Sequence, residues 1–192
     1  QVPTPAFMPV ATQATVKAID SNDLELMGTS MLLGNAYHLY LRPGIDIIER
    51  LGGLHSIMSW RRPILTDSGG FQGFSLAHLR HITEDGILFK SHIDGSQHNL
   101  TPEAAIVYQE RLGADVIMPL DVCIPSNSDR GAAESAMERT SRWAVRSLEA
   151  HSGSRQQLFG IVQGGLVPDL RERSVAFTTA LGFPGYAIGG LS

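Results

Sequence analysis

Short apolar runs closed by a glycine or a polar turn recur along this chain, and a segment with helical spacing follows nearly every one. The runs are AFMPVAT (6–12), SMLLGN (30–35), RPILT (62–66), DVIMPLD (115–121), LFGIVQGG (158–165) and GYAIGG (185–190). Helical patterns occupy 20–28, 43–53, 101–114, 131–151 and 168–181. Strands that read as apolar throughout are expected to be buried on both faces, as parallel strands covered by helices are. The repeat therefore predicts an α/β fold with a parallel sheet.

Helix punctuation supports the pattern. Asp20 or Ser21 can cap the first helix and Gly28 can stop it; Pro43 and Gly52 bracket the second. Thr101 and Pro102 open the third and Gly113 closes it. In the fourth, Ala136, Thr140, Trp143 and Leu148 share one side. Between 77 and 100 the repeat breaks. Two Asp-Gly turns flanked by alternating residues predict an antiparallel hairpin or small sheet, inserted between the third strand and its helix. No linker or low-complexity stretch divides the 192 residues, a length suited to one domain.

Composition narrows the class. With 43% hydrophobic and 18% charged residues the chain is globular rather than disordered. No apolar run reaches the roughly 20 residues of a membrane span, and the opening QVPTPAFMPV reads as mature domain rather than secretory leader. The single cysteine, Cys123, excludes an internal disulfide and a multi-thiolate metal site, and a reducing cytoplasmic setting is expected. A net charge of −4 shows no overall basic footprint for nucleic acid; a local basic face, or basic segments elsewhere, would have to supply phosphate contacts.

Four runs release polar groups or bare backbone at the same, C-terminal, end. These turns are Asp67-Ser68-Gly69-Gly70, Asp121-Val122-Cys123, Gln163-Gly164-Gly165 and Gly189-Gly190-Leu191-Ser192. The first taken alone is equally well a plain turn in which Asp67 or Ser68 caps a following helix. Four together match the active-site end of a parallel barrel. Two carboxylates, an amide and glycine N–H groups suit the edge of a flat heterocycle. A carboxylate accepts a paired N–H and NH₂, as on a guanine-like ring, and an amide or backbone N–H donates to the ring carbonyl. Phe71 can stack on such a ring, although its spacing alone favours core packing. Phosphate binding by the glycines is the alternative, but no Lys or Arg lies in these turns.

FMPVATQATVKA, LLGNAYHLYLRPG, LTDSGGFQGFSL, FKSHIDGSQHNLTPE, DVIMPLDVCIP, LFGIVQGG and GYAIGGLS together resemble the queuine tRNA-ribosyltransferase (tRNA-guanine transglycosylase) family, over essentially the whole chain. The resemblance implies a (β/α)₈ TIM barrel with an inserted hairpin (about 77–100), of which residues 1–192 would supply about six of eight strands as a single partial domain. It implies exchange of an anticodon-loop guanine in tRNA for a 7-deazaguanine base, through a covalent ribosyl-enzyme intermediate. Carried over, Asp67 is the catalytic acid and Ser68 its pocket neighbour. Phe71 stacks on the base, Asp121 reads the guanine N1–H and amino edge, and Cys123 forms pocket wall. Gln163 contacts the base, and Gly190, flanked by Gly189 and Leu191, donates its N–H to the carbonyl. Cys123 resembles bacterial members, which favours 7-aminomethyl-7-deazaguanine over queuine as the incoming base. Gly73 and Val122 depart from the bacterial pattern, which often has Val and Glu there. The family's nucleophilic aspartate and its structural zinc site, a C-x-C-x₂-C pattern with a later histidine, are expected beyond Ser192. Residues 1–192 alone are thus expected to bind no zinc and to be inactive, and the full-length form is expected to dimerise.

Two other functions are compatible with the sequence: a non-catalytic barrel relative that binds tRNA or a partner subunit, and a barrel enzyme acting on free purines. Other residues have plainer readings. His78, His81, His92 and His98 fit surface positions better than a metal site, since no H-E-x-x-H occurs. His38 reads as a hydrogen-bonded structural histidine. Cys123 reads as a buried free thiol rather than a nucleophile, and the arginines of 139–155 as a solvated helix face.

Overall fold

The parallel strands lie side by side in the order in which the chain makes them. The computed structural model describes residues 1–70, 80–152 and 155–191. Strands β1 (Val10–Ala11), β2 (Leu32–Asn35) and β3 (Ile64–Asp67) come first. Then β4 (Arg80–Ile82), β5 (Ile87–Lys90) and β6 (Gln97–Leu100) form a separate antiparallel sheet. The parallel series resumes with β7 (Val116–Ile117), β8 (Gln157–Leu158), β9 (Gly160–Val162) and β10 (Tyr186–Ile188). One parallel sheet runs β1-β2-β3-β7-β8; a second pairs β9 with β10. Only Phe159 separates β8 from β9. Its N–H bonds Ile117 O at 3.0 Å and the next, Gly160 N, bonds Gly185 O at 2.9 Å, so one bent strand serves two neighbours.

Helices α1 (Ser21–Leu26), α2 (Ala36–Leu41), α3 (Ile45–Arg50), α4 (Gly53–Ile57), α5 (Pro102–Leu112), α6 (Arg130–Ala150) and α7 (Pro168–Ala180) fill the crossovers. Two of them correct the sequence reading. Residues 36–41, where the sequence pattern shows no helix, form α2. The helix expected over 43–53 starts only at Ile45 and gives way to a separate α4, because Gly52 and Gly53 both take positive φ (89° and 83°) and turn the chain. β1 is also shorter than the run 6–12. Pro9 has no N–H to donate, though its carbonyl still accepts from Leu33 N at 3.0 Å.

The main core takes one fully buried residue from each of five parallel strands: Ala11, Leu32, Ile64, Ile117 and Leu158. Against them pack Ile48, Leu54, Ile106 and Leu112 from the helices. Each such side chain contributes about 1.5–3 kcal/mol by leaving water. Burial on both faces, however, is not what the strands show. Alternate residues face opposite ways, so Leu33 and Leu65 are half-buried, and Val10 and Ile188 are exposed. Among the described residues β1 and β10 each pair on one side only.

The antiparallel sheet is fastened to α6. Trp143 Nε1 donates to Glu84 O at 2.8 Å, and the Glu84 carboxylate accepts from Arg142 Nε at 2.6 Å and Arg139 Nε at 3.4 Å. Arg146 reaches Glu103 and the carbonyls of Glu84 and Asp85. The arginine face is therefore an attachment surface, not a purely solvated one. The hydrogen bond from Arg142 is the largest cause holding the Glu84 carboxyl down at about 2. A depressed carboxylate stabilises the fold above its unfolded pKa, and that support fades as the pH falls from 4.5 toward 2. These pairs are solvent-exposed, so Glu84→Gln should cost no more than about 1 kcal/mol near neutral pH. Urea titrations should show the gap to wild type closing as the pH drops; a constant gap would assign the loss to packing instead.

Candidate active site

Asp67 is the last residue of β3 and pairs in register with Asn35, the last residue of β2. Its Oδ2 accepts from Asn35 Nδ2 at 2.6 Å and its Oδ1 from Ala36 N at 2.9 Å. The carboxylate thus caps α2, the helix after the neighbouring strand, rather than a helix of its own. It remains half-buried.

Asp121, four residues beyond β7, is buried and gathers three of the residues singled out in the sequence. Ser68 Oγ donates to its Oδ1 at 3.3 Å, Gln163 Nε2 to its Oδ2 at 2.6 Å and Cys123 Sγ to the same oxygen at 3.4 Å. Burial pushes the Asp121 pKa up and the nearby Asp67 charge adds to the rise, while the Gln163, Cys123 and Ser68 bonds oppose it. Gly70 lets its turn approach this carboxylate. A Cβ there would sit 2.5 Å from Asp121 Oδ1 and 2.7 Å from Asp121 O. Gly70→Ala should therefore cost about 1–3 kcal/mol through forced backbone movement; an unchanged denaturation midpoint would mean that the turn has room to shift.

Gln163 comes directly after β9, and its backbone N bonds Ser174 Oγ on α7 at 3.0 Å. Its amide lies against the turn after β10, where a Cβ on Gly189 or Gly190 would collide with it. Ser68, Asp121, Cys123, Gln163, Gly189 and Gly190 therefore form one cluster at the C-terminal ends of parallel strands. Asp67 stands beside it, directed at Asn35. Leu191 is 59% exposed at the rim. Phe71 and Gly73 lie outside the described residues. Val122, the other departure, is buried in a second apolar cluster with Leu120 and Trp143.

A family profile described as queuine tRNA-ribosyltransferase matches residues 1–192. The chain belongs to that family. It is 56% identical over 190 residues to the queuine tRNA-ribosyltransferase of Acetivibrio thermocellus, covering 98% of this chain and 51% of that protein. Identity is 57% over 192 residues to the protein of the same name from Caldanaerobacter subterraneus subsp. tengcongensis, covering 100% and 51%. With that of Halothermothrix orenii it is 55% over 191 residues, covering 100% and 51%. The chain spans about half the length of these curated relatives.

In this member of the queuine tRNA-ribosyltransferase family, several supporting residues escape a sequence reading. Asn35 has the look of a strand terminator, yet it holds Asp67. Gln109 has the look of one more residue of α5, yet its buried Oε1 accepts from Met118 N at 2.9 Å and Thr66 Oγ1 at 3.1 Å, and its Nε2 donates to Met118 O at 2.8 Å. It replaces a strand neighbour just where β7 leaves the ladder on its way to Asp121. Thr140 bonds Val122 N at 3.0 Å. The available signal is a polar residue on the apolar side of a helix: Gln109 lies three and four positions from Ile106 and Ala105.

The histidines join ring contacts. His92 Nδ1 meets Tyr37 OH at 3.2 Å, and His98 Nδ1 meets Tyr40 OH at 2.9 Å. His38 lies edge-on to Tyr37 and His92, and burial, with His92 beside it, lowers its pKa against the pull of Asp67. His81 is exposed, and His78 lies outside the described residues. Among the described residues no three His, Cys, Asp or Glu side chains are grouped to hold a metal ion.

Proposed function

We propose that the complete gene product exchanges a guanine in the anticodon loop of tRNA for a 7-deazaguanine base, with 7-aminomethyl-7-deazaguanine as the incoming base. The observation that carries this reading is the buried Asp121 carboxylate bonded to Gln163, whose amide lies against the Gly189-Gly190 turn. In this reading the Asp121 oxygens accept the N1–H and amino hydrogens of a guanine edge, and Gln163 and Gly190 donate to the ring carbonyl.

The target guanosine must leave the base stack to enter such a pocket. A carboxylate oxygen attacks ribose C1′ as the C1′–N9 bond breaks, and guanine leaves with the bonding pair and gains a proton. The incoming base then loses its N9 proton and displaces the carboxylate. Two displacements at one carbon retain configuration. The nucleophile belongs, in this reading, to sequence outside 1–192, and Asp67 handles protons during the exchange. The zinc ligands likewise lie outside 1–192, and no step of the exchange uses the metal.

Sequential parallel strands with helical crossovers, and polar groups gathered at their C-terminal ends, support a (β/α)₈ barrel of which these residues are a part. A cytoplasmic dimer completes the proposal. No helix among the described residues is long and apolar enough to cross a membrane. Incubating the complete gene product with unmodified tRNA and labelled guanine tests the activity. Label should enter tRNA, and 7-aminomethyl-7-deazaguanine should compete with it. Binding of tRNA without incorporation would favour the non-catalytic relative, and turnover of free purines alone would favour the third reading.

A further inference from the structure

The arginines of α7 and its surroundings divide into two kinds. Arg130 pairs with Asp169, and Arg173 with Glu134 and Glu138, all on exposed surface. Arg171 instead turns inward and meets backbone carbonyls. Its Nη1 donates to Gly165 O at 3.1 Å and Gly189 O at 3.0 Å, and its Nη2 reaches Val162 O at 3.5 Å. One guanidinium therefore ties the turn after β9 to the turn after β10. Val162 O also accepts from Gly189 N at 3.0 Å, which closes the junction.

We infer that Arg171 is a positioning residue that fixes the Gly189–Gly190 peptide as a directed donor to the bound base. The inference rests on the base-binding reading proposed for this site. In a trans peptide the C=O and N–H point in opposite directions. The only cis bonds among the described residues precede Pro5 and Pro43. Holding Gly189 O against Arg171 therefore aims the Gly190 N–H away from the helix, on the side away from the guanidinium. Two successive glycines would otherwise let this peptide rotate at little cost. Reversed, it would present a carbonyl oxygen to the carbonyl of the base, which is repulsive. A planar fork that donates to several carbonyls at once suits the task better than a point charge. Gly164 allows the approach: its φ is +127°, and a Cβ there would lie 2.9 Å from Arg171 N.

The test uses the complete gene product as wild type, Arg171→Gln and Arg171→Lys, with guanine and 6-thioguanine as bases. The thio analogue keeps the N1–H and amino edge read by Asp121 and offers a weaker acceptor at position 6. Arg171→Gln should raise KM for guanine on the order of tenfold, the scale of a charge-supported hydrogen bond, with kcat changed much less. It should also narrow the preference for guanine over 6-thioguanine, and Arg171→Lys should restore part of both. Equal losses on the two bases, or none, would overturn the inference. Hydrogen exchange supplies an arm independent of chemistry: the Gly189 amide should lose protection in Arg171→Gln at an unchanged overall melting point. Unaltered protection there would also overturn it. If the wild type exchanges no base while Arg171→Gln still shows this loss of protection, the functional reading fails and the peptide-fixing role stands.

Discussion

Asp67→Asn in the complete gene product should lower the maximal rate of base exchange by roughly 10²–10⁴-fold, the contribution of a positioned general acid or base. KM for the base should change far less, because Asp67 faces Asn35 and Ala36 rather than the Asp121–Gln163 cluster. Asn35 Nδ2 and Ala36 N are both donors. An asparagine can offer its oxygen to one of them, but its NH₂ then faces the other, so a stability loss of about 1–3 kcal/mol accompanies the substitution. Steady-state kinetics and thermal melts on the same preparations separate the two effects. A Tm drop with exchange within tenfold of wild type would reduce Asp67 to a cap for α2. A rate loss with base KM preserved is the outcome that places it in the chemistry.

The bonds that Asp67 makes to Asn35 and Ala36 explain why the first turn is ambiguous in the sequence. Asp-Ser-Gly-Gly fits a helix cap and an active-site loop equally well, and Asp67 does act as a cap, for a helix reached through the neighbouring strand. Sequence periodicity locates strands well where the apolar run is flanked by clear breakers, as around Ile64 and Leu32. It fails at 36–41, because NAYHLY continues an apolar strand run with residues that fit either state and the helix there depends on the remote carboxylate of Asp67 at its first turn. It fails again at 43–53, where two adjacent glycines can end a helix or, as here, turn the chain directly into a second one. The cluster around Asp121 is readable because each strand ends in a polar or glycine turn. Its scaffold is not. Gln109, Ser174 and Arg171 act on backbone groups 4 to 18 residues away along the chain, and nothing in a helix sequence shows which backbone group its side chain will meet.

Asp121→Asn should weaken base use ten- to hundredfold, in the opposite kinetic pattern from Asp67→Asn. A buried hydrogen bond to a charged group is worth about 1.5–3 kcal/mol, or one to two powers of ten. With an amide at position 121, the NH₂ faces either the donor hydrogens of the guanine edge or the Gln163 amide, and one donor–acceptor match is lost in both orientations. The loss should therefore fall on KM for the base, with kcat affected less. Stability should move differently. Burial raises the pKa of Asp121, so its ionisation works against the folded state as the pH rises past the ordinary carboxylate range. Removing the charge relieves that cost and offsets part of the lost Gln163 and Cys123 bonds, so the melting point near neutral pH should hold or rise slightly. In wild type the same upward shift predicts that base affinity declines as the pH falls through the raised pKa, because the protonated carboxyl turns one acceptor into a donor. Asp121→Asn should be flat over that range. Wild-type and variant pH profiles that run parallel would remove Asp121 from base recognition, whatever the size of the loss at a single pH.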